Sequence, residues 1–223
     1  MKKRVLQEGQ GDRLFLVFNG WGASPQSFDT VCFPKDADVW LFYDYSTLSV
    51  DLPDIHHKEI HLVAWSLGVW VATFLFQTPG LFVSATAING TPYPINDQWG
   101  IPENIFVGTL QNMNTVGFQK FDRRMCGGGG KTLQKYLELE AVSNLERMKG
   151  LVELYNDISA TEMPMESVTS LWNRAIISTS DNIFPTANML NFWKNVAGVE
   201  VEEVDAPHMP FFSEKFQNGP WGK

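Results

Sequence analysis

The stretch His61-Leu62-Val63-Ala64-Trp65-Ser66-Leu67-Gly68-Val69-Trp70-Val71 decides the fold of this chain. An apolar run leads to a single serine, and a second apolar run follows it. Ala64 lies two residues before Ser66 and Gly68 two residues after it, so the pattern is small-x-Ser-x-Gly. Small residues are needed on both sides because a sharp strand-to-helix turn brings the two backbones close together. The stretch therefore predicts a strand, a nucleophile elbow at Ser66 and a buried helix.

Other apolar runs without polar alternation predict strands that are covered on both faces, as in a parallel sheet. They span residues 13–18, 39–43, 82–88 and 174–178, and an edge strand at 4–7 precedes them. The segment 199–204 alternates with period two and predicts a second, half-exposed edge strand. Ser24 followed by Pro25 predicts the start of a short helix that runs to about Cys32. Together these patterns predict an α/β protein with a mostly parallel, doubly wound sheet.

Composition limits the possible function. The chain has 223 residues, of which 44% are apolar and 19% are charged, as expected for one compact α/β domain with a modest insertion. Its net charge of -8 argues against general affinity for nucleic acid or an anionic membrane. Cys32 and Cys126 provide no disulfide framework and no metal-binding spacing. No apolar stretch approaches the roughly 20 residues of a membrane span, and we expect a cytoplasmic protein.

Helical spacing replaces the strand-like runs between residues 93 and 171. Ser143 and Glu146 have the spacing of a capping box, which predicts a helix start. Apolar residues then recur at steps of three and four and predict one buried face. That face comprises Leu145, Met148, Val152, Tyr155 and Ile158. We expect an α/β core formed by residues 1–92 and 172–223, with residues 93–171 as a small helical lid over the site.

Ser66, Asp181 and His208 each follow the end of a predicted strand, at the sheet edge where chemistry gathers in open parallel sheets. Singly, each has an ordinary structural explanation: a helix cap, a turn residue and a core histidine. Their order Ser…Asp…His is that of α/β-hydrolases. The three residue types also suit nucleophilic catalysis, because a serine needs a histidine to accept its proton, and the histidine needs a carboxylate to orient it. We predict a catalytic triad.

Negative charge that develops on an attacked carbonyl oxygen requires backbone N–H donors. The elbow predicts the N–H of Leu67 as one donor, since it follows the nucleophile at the start of a helix. The loop after the first buried strand, Gly20-Trp21-Gly22, is expected to supply the second. We assign it to the N–H of Trp21. The Trp21 side chain can at the same time be a plain core aromatic.

One segment of the predicted lid reverses the overall charge of the chain. Its basic residues, opposed by Asp122 alone, are Lys120, Arg123, Arg124, Lys131 and Lys135. A solvated helix face is the ordinary interpretation, and a docking surface for an acidic partner is the more specific one. The glycine run 127–130 within it comes close to a phosphate-binding loop, but no buried strand precedes it, so we expect no nucleotide.

Two motifs and the helical lid resemble those of the BioG-type pimeloyl-[acyl-carrier-protein] methyl ester esterases, which are α/β-hydrolases of biotin synthesis. The motifs are Phe18-Asn19-Gly20-Trp21-Gly22 and Ala64-Trp65-Ser66-Leu67-Gly68-Val69-Trp70. The resemblance extends from the first buried strand to His208. It implies Ser66 as nucleophile, His208 as base, Asp181 as the acid that orients it, and Trp21 and Leu67 as oxyanion donors.

The resemblance also implies a substrate and a partner. Family members cleave the methyl ester of a pimeloyl chain carried on acyl carrier protein, so the basic lid segment is expected to meet that acidic partner. No metal or organic cofactor is implied. Two alternatives stay open on the sequence: a general short-chain carboxylesterase or thioesterase, and a non-catalytic binding protein on a hydrolase fold.

Overall fold

A computed structural model describes residues 1–50, 55–77 and 80–221 of the chain. Within these residues, seven strands form one sheet in the order β1-β3-β2-β4-β5-β6-β7. The strands are β1 (Lys2–Gln7), β2 (Arg13–Phe18), β3 (Asp38–Tyr43), β4 (Glu59–Trp65), β5 (Ser84–Ile88), β6 (Arg174–Ser178) and β7 (Glu200–Val204). β1 runs antiparallel to β3, and every other neighbouring pair is parallel. The sheet is therefore mostly parallel, with edge strands at both ends, as predicted.

Helices cover the sheet and connect its strands. They are α1 (Leu67–Leu75), α2 (Glu103–Gln111), α3 (Thr115–Met125), α4 (Lys131–Leu137), α5 (Asn144–Ala160), α6 (Met165–Thr169), α7 (Thr186–Trp193) and α8 (Glu214–Gln217). The apolar run of β2 is buried from Leu14 to Phe18, because helices and loops cover both faces of the central strands. This arrangement confirms the predicted α/β-hydrolase fold. Helices α2 to α6 all lie between β5 and β6 in sequence, and the division into core and lid stays a prediction.

The short helix expected from Ser24 to Cys32 is not formed, and that prediction was wrong. Consecutive turns replace it, with hydrogen bonds such as that from the Ser27 N–H to the Ser24 carbonyl, 3.0 Å. The Ser24 hydroxyl accepts the N–H of Gln26, 3.1 Å. A serine that bonds the backbone two residues ahead stabilises a turn in competition with a helix. The side chain that was expected to cap a helix therefore closes a turn.

The buried face of α5 also differs from the prediction. Its capping box is present, but Leu145 and Val152 of the predicted apolar face are 65% and 38% exposed. The buried residues are instead Arg147, Gly150, Leu151 and Leu154, which recur with the same helical spacing. The prediction was wrong only for these two residues, since Met148, Tyr155 and Ile158 are partly buried against the core. It missed the fully buried positions because it counted apolar side chains, whereas an arginine and a glycine occupy half of those positions.

Candidate active site

Ser66 occupies a strained turn between β4 and α1. Its backbone angles, φ 59° and ψ -130°, lie outside the regions that residues other than glycine favour. The Ser66 N–H donates to the carbonyl of Ile88, 2.9 Å, which holds the turn against β5. A Cβ atom on Gly68 would lie 2.5 Å from the Asn19 carbonyl oxygen, and one on Gly90 would lie 2.4 Å from that of Ser66. Gly68 and Gly90, which both pack against backbone at this turn, therefore leave no room for a side chain.

The structure brings Ser66, His208 and Asp181 together in one hydrogen-bonded chain. His208 Nε2 lies 2.9 Å from Ser66 Oγ, and His208 Nδ1 lies 2.6 Å from Asp181 Oδ2. Because a carboxylate only accepts hydrogen bonds, Nδ1 carries the hydrogen, and the lone pair of Nε2 faces the serine hydroxyl. The side chains of His208 and Asp181 are 1% and 0% exposed. The hydrogen bond between His208 and Asp181 is therefore shielded from water.

Local contacts fix the Asp181 carboxylate and the histidine ring. Asp181 Oδ1 accepts the backbone N–H groups of Ile183, 2.7 Å, and Phe184, 2.9 Å. The Phe184 ring lies parallel to the His208 ring, with the centroids 6.0 Å apart. The loop after β6 thus satisfies one carboxylate oxygen by itself and leaves the other for the histidine.

Two side chains that the sequence reasoning did not single out hold the histidine backbone. The carbonyl of His208 accepts hydrogen bonds from Trp65 Nε1 and from Asn89 Nδ2, both 2.9 Å. Asn89 also donates to the Ser178 hydroxyl, 2.8 Å, and accepts the Ser178 N–H, 2.7 Å. A polar residue directly after a buried strand was the available signal for Asn89. These bonds join the ends of β4, β5 and β6 to the loop that carries His208.

The two predicted oxyanion donors lie beside Ser66, and Trp21 and Leu67 both line its cavity. Leu67 is the first residue of α1, so its N–H finds no acceptor inside the helix. Within the described residues, the Trp21 N–H has no hydrogen-bond acceptor either. Asn19 holds the start of this loop, because its side chain bonds the Ser24 carbonyl, 2.9 Å, and the Gly20 N–H, 3.0 Å.

Ser66 lines a cavity of about 30 Å³, and a groove of about 310 Å³ lies next to it between α2 and α3. Mainly apolar side chains surround the cavity, among them Ile101, Ile105, Phe106, Phe121, Leu151 and Ile183. Cavity and groove share the lining residues Ile105, Thr109, Phe121 and Arg124, so the groove lies directly beside the cavity at Ser66. An apolar chain fits its walls better than a charged one does.

The five basic residues of the predicted partner surface are all exposed, but they do not form one cluster at the site. Lys120 and Arg124 line the groove between α2 and α3, and Arg124 donates to the Asn182 carbonyl, 3.0 Å. Arg123 lies against the glycine turn between α3 and α4. Lys131 lines a separate depression beside that turn, and Lys135 lies over the ring of Phe212. Only Lys120 and Arg124 therefore border the groove.

The part of the chain that the structure describes also holds other potential nucleophiles and metal ligands. Burial, with a smaller contribution from Asp122, raises the pKa of the Cys126 thiol to about 12, so this cysteine is held as an unreactive thiol. Across residues 1–50, 55–77 and 80–221, no group of three His, Cys, Asp or Glu side chains is placed to hold a metal ion. In the same part of the chain, no helix combines the length and apolar character needed to cross a membrane.

The fold and the geometry at Ser66 define an α/β-hydrolase. Solved structures agree: an esterase from Exiguobacterium antarcticum matches 97% of this chain and 92% of its own with a TM-score of 0.71, at 14% identity, which shows the shared fold. The crystal structure of BioG from Haemophilus influenzae is more similar. It covers 95% of both chains with a TM-score of 0.86 at 35% identity.

The family model described as pimeloyl-ACP methyl esterase BioG matches residues 1–218, and the chain belongs to that family. It is therefore a carboxylic ester hydrolase by class. A malonyl-[acyl-carrier protein] O-methyltransferase of Bacteroides fragilis is 40% identical over 196 residues, which are 86% of this chain. The chain spans only 39% of the length of that relative.

Proposed function

We propose that this chain hydrolyses the methyl ester of a pimeloyl group carried on acyl carrier protein, by way of an acyl-enzyme on Ser66. The observation that carries the proposal is the chain of hydrogen bonds from Ser66 through His208 to Asp181, at the base of an apolar cavity. Membership of the BioG family supports the substrate. The Bacteroides relative is named for an O-methylation on a carrier protein, and the methyl ester that such a reaction forms is the group that this esterase would hydrolyse.

The proposed reaction has two halves that use the same residues. Ser66 Oγ attacks the ester carbonyl while His208 Nε2 takes its proton, and His208 then gives that proton to the departing methoxide, so methanol leaves. A water molecule then attacks the acyl-enzyme, with His208 again taking a proton and returning it to Ser66 Oγ. Asp181 holds the ring in the tautomer that both halves need. No cofactor takes part.

The N–H groups of Trp21 and Leu67 are proposed to bind the oxyanion of both tetrahedral intermediates. Their position on the wall of the Ser66 cavity supports this role, as does the lack of an acceptor for the Trp21 N–H within the described residues. Such donors are aimed in advance at the charge that develops, so they bind the transition state more tightly than the ester.

The groove between α2 and α3 is proposed to receive the carrier-bound end of the substrate. The exposed cations Lys120 and Arg124 line it together with apolar side chains such as Ile105, Met113 and Phe121. A cation at the rim of an apolar path suits an apolar acyl chain that ends on an acidic protein, because opposite charges speed the encounter of the two proteins. Arg123, Lys131 and Lys135 lie away from the groove and can act only through this longer-range field.

The deciding experiment compares wild type with Ser66→Ala on two substrates, methyl pimeloyl carrier protein and a free methyl ester. We expect labelling by a fluorophosphonate and ester cleavage in wild type, and loss of both in the variant, with turnover reduced by about 10⁶-fold. An unlabelled wild-type serine would favour the non-catalytic binding protein. A higher kcat/KM on the free ester would favour the general short-chain carboxylesterase or thioesterase.

The carrier-protein surface has its own test. The charge reversals Lys120→Glu and Arg124→Glu should each raise KM for the carrier-bound ester by about tenfold at low salt, and less at high salt. Lys35→Glu is the matched control, since Lys35 is exposed in the loop before β3, at the opposite edge of the sheet. Equal effects of all three variants would contradict a docking surface at the groove.

The two cysteines are both free thiols, which suits the reducing cytoplasm, and we propose the cytoplasm as the location.

A further inference from the structure

Arg147 is a buried cation within the helices that follow β5. It lies on α5 and is 6% exposed, and its guanidinium forms two hydrogen bonds with Asp122 of α3, 2.6 and 3.0 Å. Removing such a pair from water is costly, and an apolar pair of similar volume is often as stable or more stable. Packing of α5 on α3 alone therefore does not require an arginine here. The pair calls for a second explanation.

The contacts of Arg147 lead directly to the proposed oxyanion loop. The Trp21 indole donates through Nε1 to the backbone carbonyl of Arg147, 2.8 Å. The guanidinium lies over the ring of Phe118 at 4.5 Å and near the rings of Trp21 and Phe121 at 5.8 Å. The Trp21 ring in turn packs edge-on against Phe121, with the centroids 5.1 Å apart. One arginine thus contacts the loop through both its backbone and its side chain.

The loop backbone is enclosed from two sides. On the α5 side, a Cβ atom on Gly22 would lie 3.0 Å from Arg147 Nε, and Gly22 has φ +63°. On the sheet side, a Cβ atom on Gly20 would lie 2.8 Å from the Trp65 ring. Arg147 Nε is buried and, among the described residues, has no hydrogen-bond partner. Its position against Gly22 therefore follows from the pairing of the other two nitrogens with Asp122.

We propose that the Arg147–Asp122 pair positions the backbone N–H of Trp21 for the oxyanion, by pressing the loop of residues 20–22 against Trp65. Both residues act through the loop and touch no substrate. This inference rests on the proposed role of Trp21. The rigid fork of arginine suits the task, because two parallel bonds to one carboxylate fix the plane of the guanidinium against Gly22.

The test uses three variants and measures kcat, KM and the affinity for a trifluoromethyl ketone, which forms a tetrahedral oxyanion on the serine. Arg147→Lys keeps the charge without the fork, and Asp122→Asn keeps the shape without the charge. The double variant Arg147→Met with Asp122→Leu replaces the pair by apolar side chains and should stay stable. We expect kcat and the ketone affinity to fall together by about tenfold in all three, with KM within about twofold of wild type.

Arg174→Lys is the matched control, because Arg174 pairs with Glu202 at 2.7 Å at the amino end of β6, away from the site. It should lower thermal stability without changing the ketone affinity. A double variant that folds and retains wild-type kcat would overturn the proposal, as would a fall in kcat with unchanged ketone affinity. If wild type itself cleaved no ester, the proposed function would fail instead, so the two failures are distinguishable.

Discussion

The carboxyl edge of the sheet and the helices between β5 and β6 hold the two halves of the site by different means. At the sheet edge, Ser66 and His208 are nearly inaccessible. The Ser66 N–H donates to the Ile88 carbonyl, and the His208 carbonyl accepts from the side chains of Trp65 and Asn89. On the helical side, the cavity wall includes side chains such as Ile105, which is 44% exposed, and the internal support is the ion pair of Arg147. The proposed reacting groups thus lie on the more enclosed part of the site, and the proposed substrate contacts lie on the more open part. Variants on the two sides should fail in different ways.

The largest effect is expected at the sheet edge. Asp181→Asn keeps the shape of the side chain, but its amide can donate to His208 Nδ1 and so favours the wrong tautomer. We expect kcat to fall by about 10⁴-fold with little change in KM. Asp205→Asn, an exposed aspartate in the loop that carries His208, is the control and should retain full activity. A rise in KM with an unchanged kcat would contradict the division between the two regions.

A smaller effect is expected where strand and helix approach each other. In Gly68→Ala, the added methyl group would lie 2.5 Å from the Asn19 carbonyl oxygen and 2.7 Å from that of Phe18. Because both contacts are with backbone, we expect a loss of about 1–3 kcal/mol in the free energy of unfolding. Gly108→Ala on α2 provides the control, since nothing lies within 4 Å of a Cβ atom there. Denaturant unfolding that ranked the two variants equally would show that the elbow is less tightly packed than described.

On the helical side, Ile105→Ala should change binding and leave chemistry alone. Ile105 lines both the cavity and the groove, and truncating it removes apolar contact with the acyl chain. We expect KM for the carrier-bound ester to rise by about tenfold and kcat to stay within about twofold. Val116→Ala, an exposed valine on α3, should change neither constant. Steady-state kinetics decide, and a fall in kcat without a rise in KM would contradict the expectation.

The smallest effect concerns the far edge of the sheet and depends on pH. Burial acts to raise the pKa of Glu202, but hydrogen bonds from Lys215 and Arg174 outweigh it and hold the pKa below its usual value. A lowered pKa stabilises the fold above the unfolded-state value of about 4.3, and this contribution disappears as the pH falls below it. Glu202→Gln should therefore lower Tm by about 2 °C at pH 7 and lose that difference in acid.

Glu203→Gln is the control for this titration, because Glu203 is more exposed and lies 3.4 Å from Lys194. Its effect on Tm should be smaller at every pH. A difference between wild type and Glu202→Gln that persisted in acid would show that the charge of Glu202 does not cause it. Esterase activity should not change in either variant, since Glu202 and Glu203 lie on the edge strand β7, away from Ser66.

The same two regions differ in how far the sequence predicts them. The apolar run of β2 predicted the strand to the residue, since a strand covered on both faces needs little beyond its own composition. Ser66, Asp181 and His208 were found because each follows a strand, and parallel strands gather their ends at one edge. The sequence therefore predicted three side chains that the sheet brings together.

The helical side was harder to predict because its burial depends on distant partners. The buried Arg147 pairs with Asp122, a carboxylate on another helix, and no local sequence pattern reveals this pairing. Counting apolar residues accordingly placed Leu145 inside, although it is 65% exposed. The turn at Ser24 shows the same limit on a smaller scale, since either a helix or a turn could use its hydroxyl. Local signals predict elements, whereas ion pairs between elements appear only in the folded chain.

One consequence follows from the way the His208 loop is anchored. The side chains of Trp65 and Asn89 donate to the backbone carbonyl of His208, so these two anchors of the loop do not use the imidazole ring. The bonds that anchor the backbone at this position are therefore distinct from the side chain that is proposed to react. A protein engineer could exchange the base for an unnatural side chain of similar reach without redesigning the loop, and natural divergence could change the chemistry here while the architecture persists.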